Sequence, residues 1–297
     1  MTNSNTPRIA FIGFGEAGQA IAIGLRESGV ARIAAWDILF PDADGAALKQ
    51  AADKAGIRIA TSAADAVRDA DIVIAAVTAA SSVEAAQSVK DHLAGAPCYL
   101  DINSVSPGRK LETEALLGAS ARYVDVAIMA PIHPKRHQTP MHLAGPHARA
   151  IMPVLEGLGL NLTLAGPDTG AAAAIKMIRG VIIKGIEALT EECFRAAAKA
   201  GLVDEVAASL RNNYPTLDWP KIVDYNVERM ANHGIRRAAE MREVADTLRE
   251  LGIAPLMTEA IVQRQDAMGR IGKRPDVQRT LDAGGAAMLE AVNASHE

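Results

Sequence analysis

Arg8-Ile9-Ala10-Phe11-Ile12-Gly13-Phe14-Gly15-Glu16-Ala17-Gly18 decides how this chain is read. The first five residues are a short apolar run, which predicts a buried strand, and the residues after the glycines open a helical pattern. G-x-G-x-x-G at such a strand-to-helix turn is a dinucleotide-binding fingerprint. Gly13 permits the tight turn, Gly15 lets the backbone approach a pyrophosphate, and Gly18 lets the helix pack against the strand. Phosphate is expected on the free N–H groups of the helix N-terminus, so Phe14, Glu16 and Ala17 join the glycines as cofactor candidates. A second apolar run, Ile33-Ala34-Ala35-Trp36, ends on Asp37, nineteen residues beyond Gly18. A ribose-binding carboxylate belongs there. An acid at this place also repels a 2′-phosphate, which favours NAD, while Arg32 nearby leaves NADP open. Val77 and Thr78, at the end of the fourth predicted strand, are expected along the adenosine or pyrophosphate.

Composition narrows the partners. A net charge of -4 and 3% aromatic residues do not make the basic, ring-studded surface that nucleic acid requires, so a small-molecule partner is expected. The segment Met1-Thr2-Asn3-Ser4-Asn5-Thr6 is polar, and no apolar run approaches the roughly 20 residues that span a bilayer. No membrane partner is expected, and the expected location is the cytoplasm. Cys98 falls in a predicted strand and Cys193 on a predicted helix, which suits reduced core thiols. His133, His137 and His142 lack acids or cysteines at ligand spacing, so no metal site is expected.

Short β-like runs alternate with helical segments up to about Gly166, at 8–12, 32–36, 57–60, 71–77, 98–102, 123–127, 141–144 and 161–164. That alternation predicts an α/β, Rossmann-type, doubly wound and mostly parallel sheet over 1–166. Beyond it, Asp168 and Thr169 are candidate caps for a long proline-free helix, 171–200. Further helices are predicted at 203–212, 219–232, 234–251, 255–269 and 275–294. Residues 167–297 therefore read as a long interdomain helix and an all-α domain.

Three more motifs follow in order: Asp101-Ile102-Asn103-Ser104-Val105-Ser106-Pro107, Asp125-Val126-Ala127-Ile128-Met129-Ala130, and the span Gly170 to Lys176. Together with the glycine turn they resemble the 3-hydroxyacid dehydrogenase and 6-phosphogluconate dehydrogenase superfamily along most of the chain. Leu217-Asp218-Trp219-Pro220 and His233-Gly234-Ile235-Arg236-Arg237-Ala238-Ala239-Glu240-Met241 are similar to a subgroup with a phosphogluconate-dehydrogenase-like C-terminal domain. The resemblance implies an NAD(P)-dependent oxidoreductase acting between a secondary alcohol and its ketone, a homodimer, and Lys176 as the catalytic residue. Asn103 stands in the usual serine place of the substrate loop. Glu240 falls near the acid that orients the lysine or the cofactor, and Gly180 stands where many relatives carry an asparagine.

Each of these residues also has a plainer reading. Lys176 sits among Ala173, Ala174, Ile175, Met177 and Ile178, so its ammonium either snorkels to the surface or serves as a desolvated proton relay. Asn103 and Ser104 either position the reacting oxygen or cap the next helix. At 128–131 the sequence Ile-Met-Ala-Pro replaces the Ser-Gly-Gly turn that holds a carboxylate in relatives. Proline has no N–H to donate, so a more apolar pocket with Met129 and Ala130 is expected. The basic loop Ile132-His133-Pro134-Lys135-Arg136-His137 either receives an anionic group or is a solvated loop. His233, Arg236, Arg237 and Glu240 share helical spacing, as a substrate-facing set or a surface charge ladder. Two other functions fit the same turn: imine reduction with another proton donor, and a non-catalytic dinucleotide sensor that needs only the glycines and Asp37.

Overall fold

A computed structural model describes residues 6–280 and 285–294; 1–5, 281–284 and 295–297 lie outside the described residues. The chain divides into two compact units, Met1–Lys176 and Met177–Glu297. The division falls inside the long helix rather than ahead of it at 166/167.

In the first unit, strands β1 (Ile9–Ile12), β2 (Ile33–Trp36), β3 (Arg58–Ile59), β4 (Ile72–Ala75), β5 (Cys98–Asp101), β6 (Arg122–Ile128), β7 (Met141–Ala144) and β8 (Leu162–Gly166) form one sheet. Its order is β3-β2-β1-β4-β5-β6-β7-β8, and every neighbouring pair is parallel except the antiparallel β6–β7. The run 3-2-1-4-5-6 is the strand order of dinucleotide-binding doubly wound sheets. Helices α1 (Glu16–Glu27), α2 (Ala46–Lys54), α3 (Ala63–Val67), α4 (Ser82–Val89), α5 (Pro107–Leu117) and α6 (Ala148–Gly157) connect the strands. Strand side chains alternate between two cores. Ile9, Phe11, Ile72, Ile74 and Leu100 enter one, and Ala10, Ile12, Val73, Tyr99 and Tyr123 the other. That period of two, with both sides apolar, is why the central strands read as unbroken hydrophobic runs.

The long helix α7 (Ala171–Ala200) leads into α8 (Val203–Asn213), α9 (Trp219–Glu250), α10 (Leu256–Ile271), the short α11 (Pro275–Gln278) and α12 (Gly285–Ala294). The core of the second unit includes Met177, Phe194, Val227, Met230, Met241, Val244, Ile261 and Met268. Two expectations fail here. The break expected at 233 does not occur, because α9 runs straight through Gly234. A Cβ at Gly234 would lie 2.2 Å from Gln265 O, and one at Gly269 would lie 2.4 Å from Ile235 N. Helices α9 and α10 thus cross backbone against backbone, and Gly234 is a packing glycine. The single helix expected over 275–294 is α11 and α12, with 281–284 outside the described residues. Arg237 and Gln265 both donate to buried Glu187 Oε2, which ties α9 and α10 to α7.

Among the described residues no helix is long and apolar enough to cross a membrane, and no group of metal-ligating side chains converges. Cys98 is buried, and burial raises its thiol pKa, whereas Cys193 is exposed on α7 rather than a core thiol.

Candidate active site

The glycine turn has the shape of a cradle. Gly13 adopts φ +90, and a Cβ there would meet Ala76 O at 2.3 Å; one on Gly18 would meet Gly13 O at 2.6 Å. Nothing lies within 4 Å of the Cβ position of Gly15, so this glycine alone faces open space. Two glycines close the strand, turn and helix together, and the third leaves room for a pyrophosphate.

Asp37, at the end of β2, is half-buried. Its Oδ2 accepts Phe14 N–H at 2.7 Å and its Oδ1 accepts Leu39 N–H at 3.0 Å. The Phe14 N–H expected at a phosphate is therefore already engaged, and the Phe14 ring is fully buried, packed edge-on to Phe40 at 6.1 Å. Gly15, Glu16 and Ala17 carry the first-turn N–H groups of α1 that a helix leaves without partners of its own. Each Asp37 oxygen keeps a second lone pair for a ribose hydroxyl. Thr78 is exposed, and its Oγ1 donates to Ser81 Oγ at 3.1 Å.

A continuous path of contacts leads from the turn to Lys176. The Cβ direction of Gly13 points at the Val77 side chain, at 2.7 Å. Val77 N–H donates to Asn103 Oδ1 at 2.7 Å, and Lys176 Nζ donates to the neighbouring Ser104 Oγ at 2.5 Å. Since β1, β4 and β5 are parallel, all of this lies at their C-terminal edge, where open α/β sheets bind ligands. The capping alternative is settled as well: Ser106 caps α5 by accepting Arg109 N–H at 3.3 Å.

Beneath the pair lies a buried ionic cluster that motif reading missed. Lys110, 0% exposed, donates from Nζ to Asp101 O at 2.6 Å and lies 3.1 Å from Asp101 Oδ1 and 3.5 Å from Asp125 Oδ1. Asp101 Oδ1 accepts Asn103 N–H at 3.0 Å, and its Oδ2 accepts the Tyr123 hydroxyl at 2.7 Å. Burial first, and Asp101 second, push the Tyr123 pKa up, so the phenol stays a donor. Asp125 Oδ2 accepts the N–H groups of Gly170 and Ala173, each at 3.1 Å. The cap of α7 therefore comes from β6, not from the side chains of Asp168 or Thr169; Thr169 Oγ1 donates to Glu114 at 2.9 Å. One carboxylate holds the Asn103–Ser104 loop, the other holds the helix of Lys176, and Lys110 joins them.

Met129 is half-buried and its N–H donates to Pro140 O at 2.9 Å, which, with Pro131, removes two backbone donors from the loop after β6. Ala130 and His133 are exposed. In this basic loop Arg136 and His137 turn onto α1. Arg136 pairs with Glu27 at 2.5 Å, and the buried His137 packs on Gly24 with Nε2 3.1 Å from Ser28 Oγ. Glu27 and Ser28 mark the end of α1 opposite the glycine turn. Burial chiefly, then Arg136, lowers the His137 pKa.

In the second unit Glu240 pairs with Lys184 at 3.2 Å, and Arg236 is exposed while Arg237 is buried on Glu187. His233 is half-buried, its pKa lowered by burial and then by Arg236, Arg229 and Arg237. The charge ladder is thus split between solvent and core. Gly180 has a physical reason as well: a Cβ there would lie 3.1 Å from Val244 Cγ2, so an apolar contact with α9 takes the place of a polar anchor.

Residues 8–102 match the family described as NADP oxidoreductase, coenzyme F420-dependent, and residues 197–268 match a domain of unknown function, DUF1932. A conserved hypothetical protein from Sinorhizobium meliloti 1021 is 33% identical, with 99% of this chain and 98% of that one covered and a TM-score of 0.78. A conserved protein of unknown function, described as structurally similar to 3-hydroxyacid dehydrogenases, is 31% identical over 89% of this chain and 97% of its own, with a TM-score of 0.71. The chain belongs to the 3-hydroxyacid dehydrogenase-like superfamily. This superfamily is one of NAD(P)-dependent oxidoreductases. Another member, the NAD-dependent L-serine dehydrogenase of Pseudomonas aeruginosa, is 27% identical over 221 residues, 71% of each chain.

Proposed function

We propose that this protein interconverts a small 3-hydroxy acid, or a sugar-acid-like secondary alcohol, and its carbonyl form, with Lys176 as the proton relay. The observation that carries this reading is the Lys176–Ser104 hydrogen bond at the sheet edge that also carries the glycine turn. When bound, the dinucleotide accepts or supplies hydride at nicotinamide C4. In the oxidative direction hydride leaves the substrate carbon while the hydroxyl proton passes to the Lys176 amine. In the reductive direction the ammonium returns that proton to the oxygen. Ser104 holds Nζ in place, and Asn103 lies beside it at the reacting oxygen. A primary amine held by Ser104 at the sheet edge can exchange a proton with an alcohol or carbonyl oxygen. Screening short 3-hydroxy acids, L-serine and sugar acids for NADH formation tests the reading; absence of any turnover across that set counts against it.

Asp37 carries the cofactor preference in this account. NADH is expected to bind roughly tenfold or more tighter than NADPH, and Asp37→Ala to narrow the gap, since a hydrogen bond to a charged group contributes about 1.5–3 kcal/mol. Fluorescence titration of both nucleotides reads this directly. Equal affinities in the unaltered protein reject the assignment.

A homodimer is part of the same proposal. On α7, Ile178, Ile182, Ile186 and Leu189 are 47, 65, 49 and 61% exposed and recur at helical spacing. Such an exposed apolar stripe along one helix marks a contact surface. The full chain should sediment as a dimer at micromolar concentration, and Ile182→Glu should shift it to monomer. A monomeric unaltered chain removes this part.

A further inference from the structure

The first residues of β4, β5 and β6 stand in one row across the sheet: Ile72 pairs with Cys98, and Cys98 with Arg122. In-register residues of parallel neighbours face the same side, so the three side chains share one face at the N-terminal edge of these strands. Helix α6 covers that face with His147, just ahead of its first turn, and with Ile151 and Val154, one and two turns on. Between the row and the helix lies a pocket of about 210 Å³ whose walls include all six side chains. It lies at the edge of the sheet opposite the glycine turn, since β5 carries Cys98 at one end and Asp101 at the other. Ile72, Cys98 and Ile151 are buried, and Val154 is 45% exposed at the rim. Burial raises the Cys98 pKa, against a smaller pull from Arg122, so the thiol is a neutral, weakly polar part of the wall. Arg122 Nε donates to Ala96 O at 3.0 Å, which fixes the guanidinium, and no carboxylate pairs with it among the described residues. The acid in the lining, Asp71, is committed elsewhere: its Oδ1 accepts from Arg8 Nη2 at 3.0 Å and its Oδ2 from Arg8 N–H at 2.8 Å.

We propose that this pocket binds a small carboxylate with an apolar body. The hydrocarbon lies against Ile72, Cys98, Ile151 and Val154, and the carboxylate pairs with the Arg122 guanidinium, with the His147 ring as a second polar contact. An apolar cavity of about 150 Å³ is enough to hold benzene, so this pocket has room for a ring or a short chain that carries a carboxylate. A hydroxylated acid fits it less well, because the apolar wall leaves a second polar group without a partner. The ligand class therefore differs from that proposed for the catalytic edge, and neither turnover nor NADH binding is needed to detect it.

Benzoate is the probe, titrated into the full-length protein by isothermal calorimetry beside benzyl alcohol, which keeps the ring and removes the charge. Benzoate should bind with a Kd of about 1 mM or tighter, and benzyl alcohol about tenfold or more weakly than that. Arg122→Met removes the cation, and Val154→Trp fills the mouth from the exposed rim without entering the core. Each should weaken benzoate by about tenfold or more, with the circular dichroism spectrum unchanged. Should Arg122→Met unfold, Arg122→Gln, which can still donate to Ala96 O, takes its place. Absence of binding by both benzoate and pentanoate overturns the proposal. So does benzoate binding that both variants leave unchanged, which places the ligand elsewhere. A loss in Val154→Trp alone, or equal affinity for benzyl alcohol, leaves an apolar pocket without carboxylate recognition and overturns the ligand class. A loss in the Arg122 variant alone puts the anion outside the pocket and overturns the site.

Discussion

Lys110→Met should destabilise the first unit by about 3–5 kcal/mol, the usual consequence of removing one partner from a buried ion pair. The Lys110 ammonium sits between two carboxylates with 0% exposure, Asp101 and Asp125. Asp125 has further support from the N-terminus of α7, where the Gly170 and Ala173 N–H groups and the helix dipole favour negative charge. Asp101 accepts from the Tyr123 hydroxyl and the Asn103 N–H, both neutral donors. Methionine fills a similar volume, so the loss reports charge rather than a cavity. Urea denaturation followed by circular dichroism measures it, and a cost below about 1 kcal/mol contradicts the argument. If the variant folds, the loop of Ser104 and the helix of Lys176 lose their link through Lys110, and kcat should fall further than NADH affinity.

Much of this was open to reading in the chain. The strand–turn–helix at 8–18 needs no distant partner, because Gly13, Gly15 and Gly18 each answer a local backbone demand. The strands were visible as short apolar runs because both faces of the sheet are covered. Ser104 and Lys176 were found separately, through two motifs, and the fold brings them together. Lys110 was hidden for a physical reason. In Pro107-Gly108-Arg109-Lys110-Leu111-Glu112 it looks like one more charge on an amphipathic helix, and its partners come from two different strands. Asp125 was noticed as a motif residue, but a strand carboxylate capping a helix more than forty residues later leaves no local pattern. The continuity of α9 through 233 has no local pattern, because Gly234 is fitted to the crossing with α10, and only the position of α10 shows it.

The proton relay is the claim on which the functional account stands. Lys176→Ala removes the Nζ held by Ser104 but none of the groups proposed to cradle the dinucleotide, the glycine turn and Asp37. Loss of a general acid–base group costs roughly 10²–10⁴ in rate, while an interaction made with the cofactor alone leaves kcat in place and shows in binding. The two effects separate cleanly in one protein. The decisive measurement is kcat for NADH formation by Lys176→Ala on the best hydroxy acid found for the wild type, with NADH affinity titrated on the same sample. The account predicts a fall in kcat of about 10²–10⁴ with NADH binding nearly unchanged. A variant that keeps most of the wild-type kcat contradicts it.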